Sequence, residues 1–221
     1  MTTLYKKKVR CAVCGNENEF TGIGSTNRLG WPDLDTRPPE MERSTIFTWV
    51  QRCPGCGFCA SDISKAPPGA GSLVRASEYQ KQLHDRAYPD LANSFLCKAM
   101  VDEQMSDYAA AAWALVYAAW ACDDAEQRNQ ARICRSKAAK MLIEAEAHSQ
   151  KIVEQDGMST AILIDLLRRS GQYAEAQESL VTRQSAITED FIIRILGFQA
   201  TLIKNGDDSC HTIAEALGEE E

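Results

Sequence analysis

Two short cysteine knuckles constrain this chain more than any other feature. Cys11-Ala12-Val13-Cys14-Gly15 and Cys53-Pro54-Gly55-Cys56-Gly57 share one pattern: two residues between the sulfurs and a glycine after the second. That spacing lets the backbone turn tightly, so that both thiolates face one point. Two such turns supply four soft donors, which suit a tetrahedral Zn²⁺ at about 2.3 Å from each sulfur. The predicted ligands are Cys11, Cys14, Cys53 and Cys56, holding one structural zinc ion. Four thiolates leave no open position for water or substrate, so such a site holds structure and does no catalysis. A segment of about sixty residues rich in Gly and Pro builds little apolar core, and the ion substitutes for it.

One rival uses the same ligands. Rubredoxin holds a redox-active iron on a similar pair of knuckles, and ligand type alone does not separate the two metals. Here 38 residues lie between Cys14 and Cys53, with few aromatics to shield an iron, which favours zinc. Five of the nine cysteines crowd into residues 11–59. In a reducing compartment that clustering points to metal rather than disulfides. Cys59 is expected to pack rather than ligate, because the set of four is complete. Cys97, Cys122, Cys134 and Cys210 fall in helical patterns and read as small buried hydrophobes.

The formal charge of −7 is unevenly spread. Residues 1–65 hold nine Lys/Arg against seven Asp/Glu, and the remainder fifteen against twenty-four, which is +2 and −9. An acidic body is a poor match for a phosphate backbone. The run Lys6-Lys7-Lys8 with Arg10, together with Arg28, keeps a nucleic-acid-binding ribbon open as an alternative, although the charge argues against it. No apolar leader and no stretch of eighteen apolar residues is present, so a soluble, cytoplasmic chain without membrane contact is expected.

The organisation reads as α+β: a ribbon of short β hairpins over 1–64, a Pro/Gly linker over 65–73, and TPR-like helical hairpins over 74–221. Arg43 to Val50 is rich in β-branched and aromatic residues and predicts a strand. The insert between the knuckles, with Gly22, Gly24, Gly30, Pro32, Pro38 and Pro39, predicts mostly loop. Beyond the linker the period becomes helical. Ser77 with Gln80 suggests a capping box opening a helix toward Ala87. Further helices are expected over 91–104, 106–122, 125–153, 159–170, 173–183, 189–204 and 210–217. In the helix over 125–153, Ile133, Ala138, Met141, Leu142 and Ala145 are predicted to point inward. Arg169 to Ala176 holds a glycine turn of the kind that joins tetratricopeptide helix pairs, and Asn205-Gly206 repeats it 35 residues on.

Other residues invite chemistry. In the insert, Asp33, Asp35 and Arg37 sit between Pro32 and Pro38-Pro39; Arg37 is expected to pair with Asp33 or Asp35, or to offer its fork to a carboxylate or phosphate. A long loop of this kind is often functional, and the alternative is that these charges simply order a segment without secondary structure of its own. Trp113, Tyr117 and Trp120 form a helix-spaced stripe expected in the core, with the lining of a pocket as the alternative. His84, His148 and His211 are separated among acids and read as surface or capping residues. No phosphate-binding glycine loop, nucleophile elbow or zinc-protease motif occurs, so no enzyme is expected.

Taken together, Leu4 to Cys11, Asp33 to Pro39 and Arg52 to Phe58 resemble an uncharacterised bacterial family, a domain of unknown function. The resemblance implies an N-terminal zinc ribbon joined to TPR-like helices in a bacterial cytosolic protein. It supports the four cysteine ligands and supplies no activity. Its specific part covers residues 4–63, and Cys59 stands where that family would place a small residue. The expectation is a non-enzymatic module whose helices bind a protein or peptide partner, with a basic segment favoured by the −9 charge. A thiol-redox or electron-transfer protein is the other alternative.

Overall fold

The computed structural model describes residues 1–219. Its N-terminal part is made of hairpins. Strands β1 (Thr3–Arg10) and β2 (Glu17–Ser25) pair antiparallel, from Leu4 opposite Ile23 to Arg10 opposite Glu17. The β2 segment corrects the expectation of loop there. Gly22 made it look irregular, yet a Cβ at that position would lie 2.7 Å from the Tyr5 ring, which covers the backbone from the opposite strand. Lys6 and Lys8 face Glu19 and Glu17 across the hairpin at 3.8 and 3.9 Å. Strands β3 (Arg28–Leu29) and β4 (Glu40–Met41) pair to bracket the insert, and β5 (Gln51–Arg52) pairs with β6 (Cys59–Ala60).

The strand predicted over Arg43–Val50 is instead a 3₁₀ helix, Arg43–Thr48. Its threonines bond locally. Thr45 Oγ1 donates to Glu42 O at 2.7 Å, Thr48 Oγ1 donates to Thr45 O at 2.8 Å, and Trp49 Nε1 donates to Thr45 Oγ1 at 3.0 Å. Hydroxyls that reach carbonyls three residues back satisfy a tight helix better than an unpartnered strand.

The helices are α1 (Ala70–Arg75), α2 (Ser77–Leu83), α3 (Asp90–Gln104), α4 (Tyr108–Asp124), α5 (Arg128–Ala147), α6 (Met158–Arg169), α7 (Tyr173–Arg183), α8 (Asp190–Lys204) and α9 (Ile213–Leu217). Successive helices stack as hairpins, giving the α+β architecture expected. Helix α1 starts immediately after Gly69, inside the stretch read as linker. The predicted capping box at Ser77 does not form: Ala76 is the N-cap and makes no side-chain bond. The box is found at α9, between Thr212 and Glu215. Helix α5 is shorter than expected at both ends, and its Ile133 is 45 % exposed rather than inward, while Ala138, Leu142 and Ala145 are buried.

One turn recurs. Helices α3, α4, α5, α6 and α8 each end on a left-handed residue, respectively Ser106, Glu126, Ser149, Gly171 and Gly206. The next residue then donates its N–H to a carbonyl five positions back: Asp107 to Asp102, Gln127 to Cys122, Gln150 to Ala145, Gln172 to Leu167, and Asp207 to Leu202, all at 2.8–3.0 Å. This is the Schellman closure, which satisfies helix-end carbonyls and reverses the chain. The residue after the left-handed one is Asp or Gln every time.

The ribbon packs on the helices through a shared core. Phe58, Cys59 and Ile63 are sealed against Tyr79 and Leu83 of α2 and Phe95 and Cys97 of α3. The Tyr79 hydroxyl donates to Gly57 O at 3.0 Å and accepts from Cys59 N–H at 3.1 Å. The insert is tied to the far end of the chain: Leu34 N–H donates to His211 O and Ile213 N–H to Pro32 O, each at 2.9 Å. Among the described residues no helix is long and apolar enough to cross a membrane.

Candidate metal centre

Each knuckle is the turn of a hairpin. Cys11 N–H donates to Asn16 O (2.9 Å) and Gly15 N–H to Cys11 O (2.8 Å) at the end of β1–β2. The second repeats the same bonds, Cys53 N–H to Phe58 O and Gly57 N–H to Cys53 O, both 2.8 Å, at the end of β5–β6. Gly15 and Gly57 take φ of +76° and +79°, the left-handed conformation that lets each turn close. Ala12 N–H donates to Ile63 O at 2.8 Å and fastens the first knuckle beside the second hairpin.

The four Sγ atoms of Cys11, Cys14, Cys53 and Cys56 lie within 4.8 Å of one another. The Cys11–Cys56 pair is 3.7 Å apart and the Cys14–Cys53 pair 3.5 Å. A zinc tetrahedron with bonds of about 2.3 Å has edges of about 3.8 Å. No disulfide joins them; all four are free thiols at more than bonding distance. Cys11 and Cys53 are buried, Cys56 half-buried and Cys14 exposed.

Electrostatics differ between the sulfurs. Burial pushes the Cys11 thiol up, against N–H bonds from Cys14 and Val13. Burial also opposes ionisation of Cys53, but N–H bonds from Cys56 and Gly55 and the neighbouring Cys14 thiol hold it below the ordinary value. The Cys56 thiol is raised, chiefly by burial. Backbone N–H groups aimed at the first sulfur of each knuckle suit thiolates. A bound divalent cation would supply the remaining stabilisation.

Cys59 lies outside this cluster. It is fully buried, and its Sγ donates to Gly57 O at 3.3 Å. The histidines stay apart, as expected: His148 Nδ1 lies 2.9 Å from Glu144 O, and His211 sits between Asp207 and Glu215 at 3.1 and 2.9 Å. The insert ion pairs correct the local pairing expected for Arg37. Arg37 Nη2 donates to both oxygens of Asp124 (2.6 and 2.7 Å), and Asp33 instead receives Arg43 Nη2 at 2.5 Å. Asp35 receives Arg169 Nη1 at 2.9 Å and Trp120 Nε1 at 2.8 Å. These partners lie up to 134 residues away and no local spacing marks them. Tyr79, the latch on the second knuckle, carries no sequence signal beyond its apolar helical context.

A four-cysteine cluster carried on two hairpin turns, followed by stacked helical hairpins, defines the class of this protein. The chain belongs to the bacterial family described as "Uncharacterized protein conserved in bacteria (DUF2225)", which matches residues 4–189. The match therefore runs well into the helices, beyond the 4–63 segment that carried the resemblance. No curated protein and no solved structure matches the chain.

Proposed function

We propose that the four thiolates hold one structural Zn²⁺ and that the protein is a non-enzymatic partner-binding module. The observation that carries this reading is the meeting of two equivalent knuckles, with all four sulfurs within 4.8 Å of one another and the Cys11–Cys56 and Cys14–Cys53 pairs at 3.7 and 3.5 Å. Such a donor set saturates the ion, so its contribution is to hold two hairpin turns together. Metal analysis with an absorption spectrum tests it. One zinc per colourless chain is expected; a metal-free folded protein, or a red one containing iron, overturns it.

The stacked hairpins would supply the binding surface, as helical repeats commonly do. The charge of −9 beyond residue 65 favours a basic protein segment. Nucleic acid fits less well, because Lys6 and Lys8 of the basic run lie beside Glu19 and Glu17. The full chain as bait should capture a partner through a Lys/Arg-rich segment, with binding that weakens as salt rises. Failure to return any reproducible partner would count against this part of the reading.

A further inference from the structure

Helical spacing places the aromatic stripe of α4 in the core, but only Trp120 is sealed there. Trp113 and Tyr117 are half-buried and, with Trp49, line one side of a cavity of about 380 Å³. The insert completes the lining with Thr36, Pro38, Glu42 and Arg28. The volume falls in the range of small-molecule sites.

The rings are fixed in place by their polar ends. Trp113 Nε1 donates to Ile152 O at 3.0 Å, Trp49 Nε1 to Thr45 Oγ1, and Trp120 Nε1 to Asp35 Oδ2. Trp49 meets Tyr117 edge-on at 5.1 Å, and Trp113 stacks on Tyr117 at 5.7 Å. With each of these indole N–H groups engaged, the walls offer π surface and no indole donor. A cation is well served, because ring faces carry negative potential. One guanidinium already lies over a lining ring: Arg37 Cζ is 5.8 Å from the Trp120 centroid.

The lining carries one carboxylate and one guanidinium. Glu42 is the carboxylate among the lining residues, and its side chain is only 20 % exposed. It is held in a two-point pair by Arg28, whose own side chain is 72 % exposed. The backbone is strained at Thr36 of the lining, a β-branched residue with φ +64°, and at Met41, next to Glu42, with φ +72°. Such conformations cost on the order of 1–3 kcal/mol each and collect at binding sites. Here Arg43 Nε on Pro38 O (2.9 Å) and the Asp35 ion pairs hold the loop in that shape.

We propose that this cavity binds a small organic cation, with a methylated ammonium or guanidinium group lying against the rings of Trp49, Trp113 and Tyr117 and Glu42 as its counter-ion. Arg28 then occupies the counter-ion until the ligand displaces it. The site is separate from the cysteine cluster and does not depend on the metal reading.

The test titrates the full-length protein with choline, tetramethylammonium and arginine amide, and with 3,3-dimethyl-1-butanol as the uncharged isostere of choline. Tryptophan fluorescence and indole NMR signals report binding. Saturable binding of at least one cation is expected, with the alcohol roughly tenfold weaker than choline. Glu42→Gln should weaken the cation roughly tenfold, and Arg28→Ala, a surface change, should tighten it several-fold by freeing Glu42. Equal binding of the alcohol, no saturable signal with any of the three cations, or weaker binding in Arg28→Ala would overturn the proposal.

Discussion

Arg169 of α6 donates Nη1 to the wholly buried Asp35 of the insert at 2.9 Å, joining residues 134 positions apart. The same carboxylate accepts from Trp120 Nε1 and from Arg37 N–H (3.3 Å), while Arg135 Nη2 stands 4.0 Å away. Arg135 and Arg169 share Asp123 as a second acceptor. This network clamps the insert onto α4, α5 and α6. Replacing Asp35 by Asn would leave two buried guanidiniums short of charge, which typically costs about 3–5 kcal/mol. Urea denaturation of Asp35→Asn at pH 7 should show a loss of that order. A change under about 1 kcal/mol would mean that Asp123 alone neutralises both arginines.

The same pair fixes a pH dependence. Burial opposes the Asp35 charge, but Arg169, Arg135 and the Trp120 N–H outweigh it and hold the carboxyl below its ordinary value. A carboxyl depressed in the fold stabilises above its unfolded pKa of about 3.9, and that stability is lost as pH falls toward the folded value. The gap between wild type and Asp35→Asn should therefore narrow between pH 5 and pH 3, since the unfolded chain takes up the proton first. Denaturation midpoints measured across that range check it. A gap that stays constant would show that Asp35 is not held down.

Tyr79→Phe removes one hydroxyl, strands the buried Cys59 N–H and leaves Gly57 O with only the weak Cys59 thiol donor. Leaving buried polar groups unpaired costs about 1–3 kcal/mol. The variant should lose stability on that scale and show faster amide exchange at Cys59, with metal content unchanged. Unchanged exchange at Cys59 would place the latch elsewhere.

Losing a ligand should act mainly on the ribbon. Cys14 is the exposed member of the cluster, so Cys14→Ser leaves the packing untouched while removing one thiolate. Metal content should fall well below one per chain, and NMR signals of β1, β2 and both knuckles should broaden or move. Far-UV helix signal should be largely retained, because α3 to α8 bury their own core. Equal loss of the helical signal would show that the shared core around Phe58 and Tyr79 makes the two parts one cooperative unit.

What the sequence discloses follows the range of the interaction. The knuckles are legible because ligand spacing is a local property. The helices are legible because Trp113, Val116, Tyr117 and Trp120 repeat at the helical period. Strand β2 is not, because Gly22 gains its meaning from Tyr5 on the other strand, which a linear reading does not place beside it. The β-branched run at Thr45–Ile46 fits a strand by composition, yet its hydroxyls bond three residues back and close a 3₁₀ helix. The Asp35 partners are invisible for the same reason as Gly22. The Schellman turns are half visible: glycine marks those at 171 and 206, while Ser106, Glu126 and Ser149 hide the other three.

The two knuckle glycines separate conformational cost from steric cost. Both have positive φ, near +76° and +79°, so any side chain carries a similar backbone penalty, about 1 kcal/mol. Around Gly15 nothing lies within 4 Å of a built Cβ, whereas at Gly57 that atom would sit 2.3 Å from Leu83 Cδ2. Leu83 is buried on α2 against the second knuckle, so relief requires its side chain to shift within the packed core or the hairpin and helix to part. Gly15→Ala should therefore cost about 1 kcal/mol with metal retained. Gly57→Ala should cost at least about 1–3 kcal/mol more, the usual range for overpacking. The double variant Gly57→Ala/Leu83→Ala should not recover full stability, because truncating Leu83 leaves its own cavity. Its loss should nevertheless fall short of the sum of the two single losses, since each change relieves the other. Chemical denaturation of the four variants against wild type measures all of this. Additive losses would show that the second knuckle does not bear on Leu83.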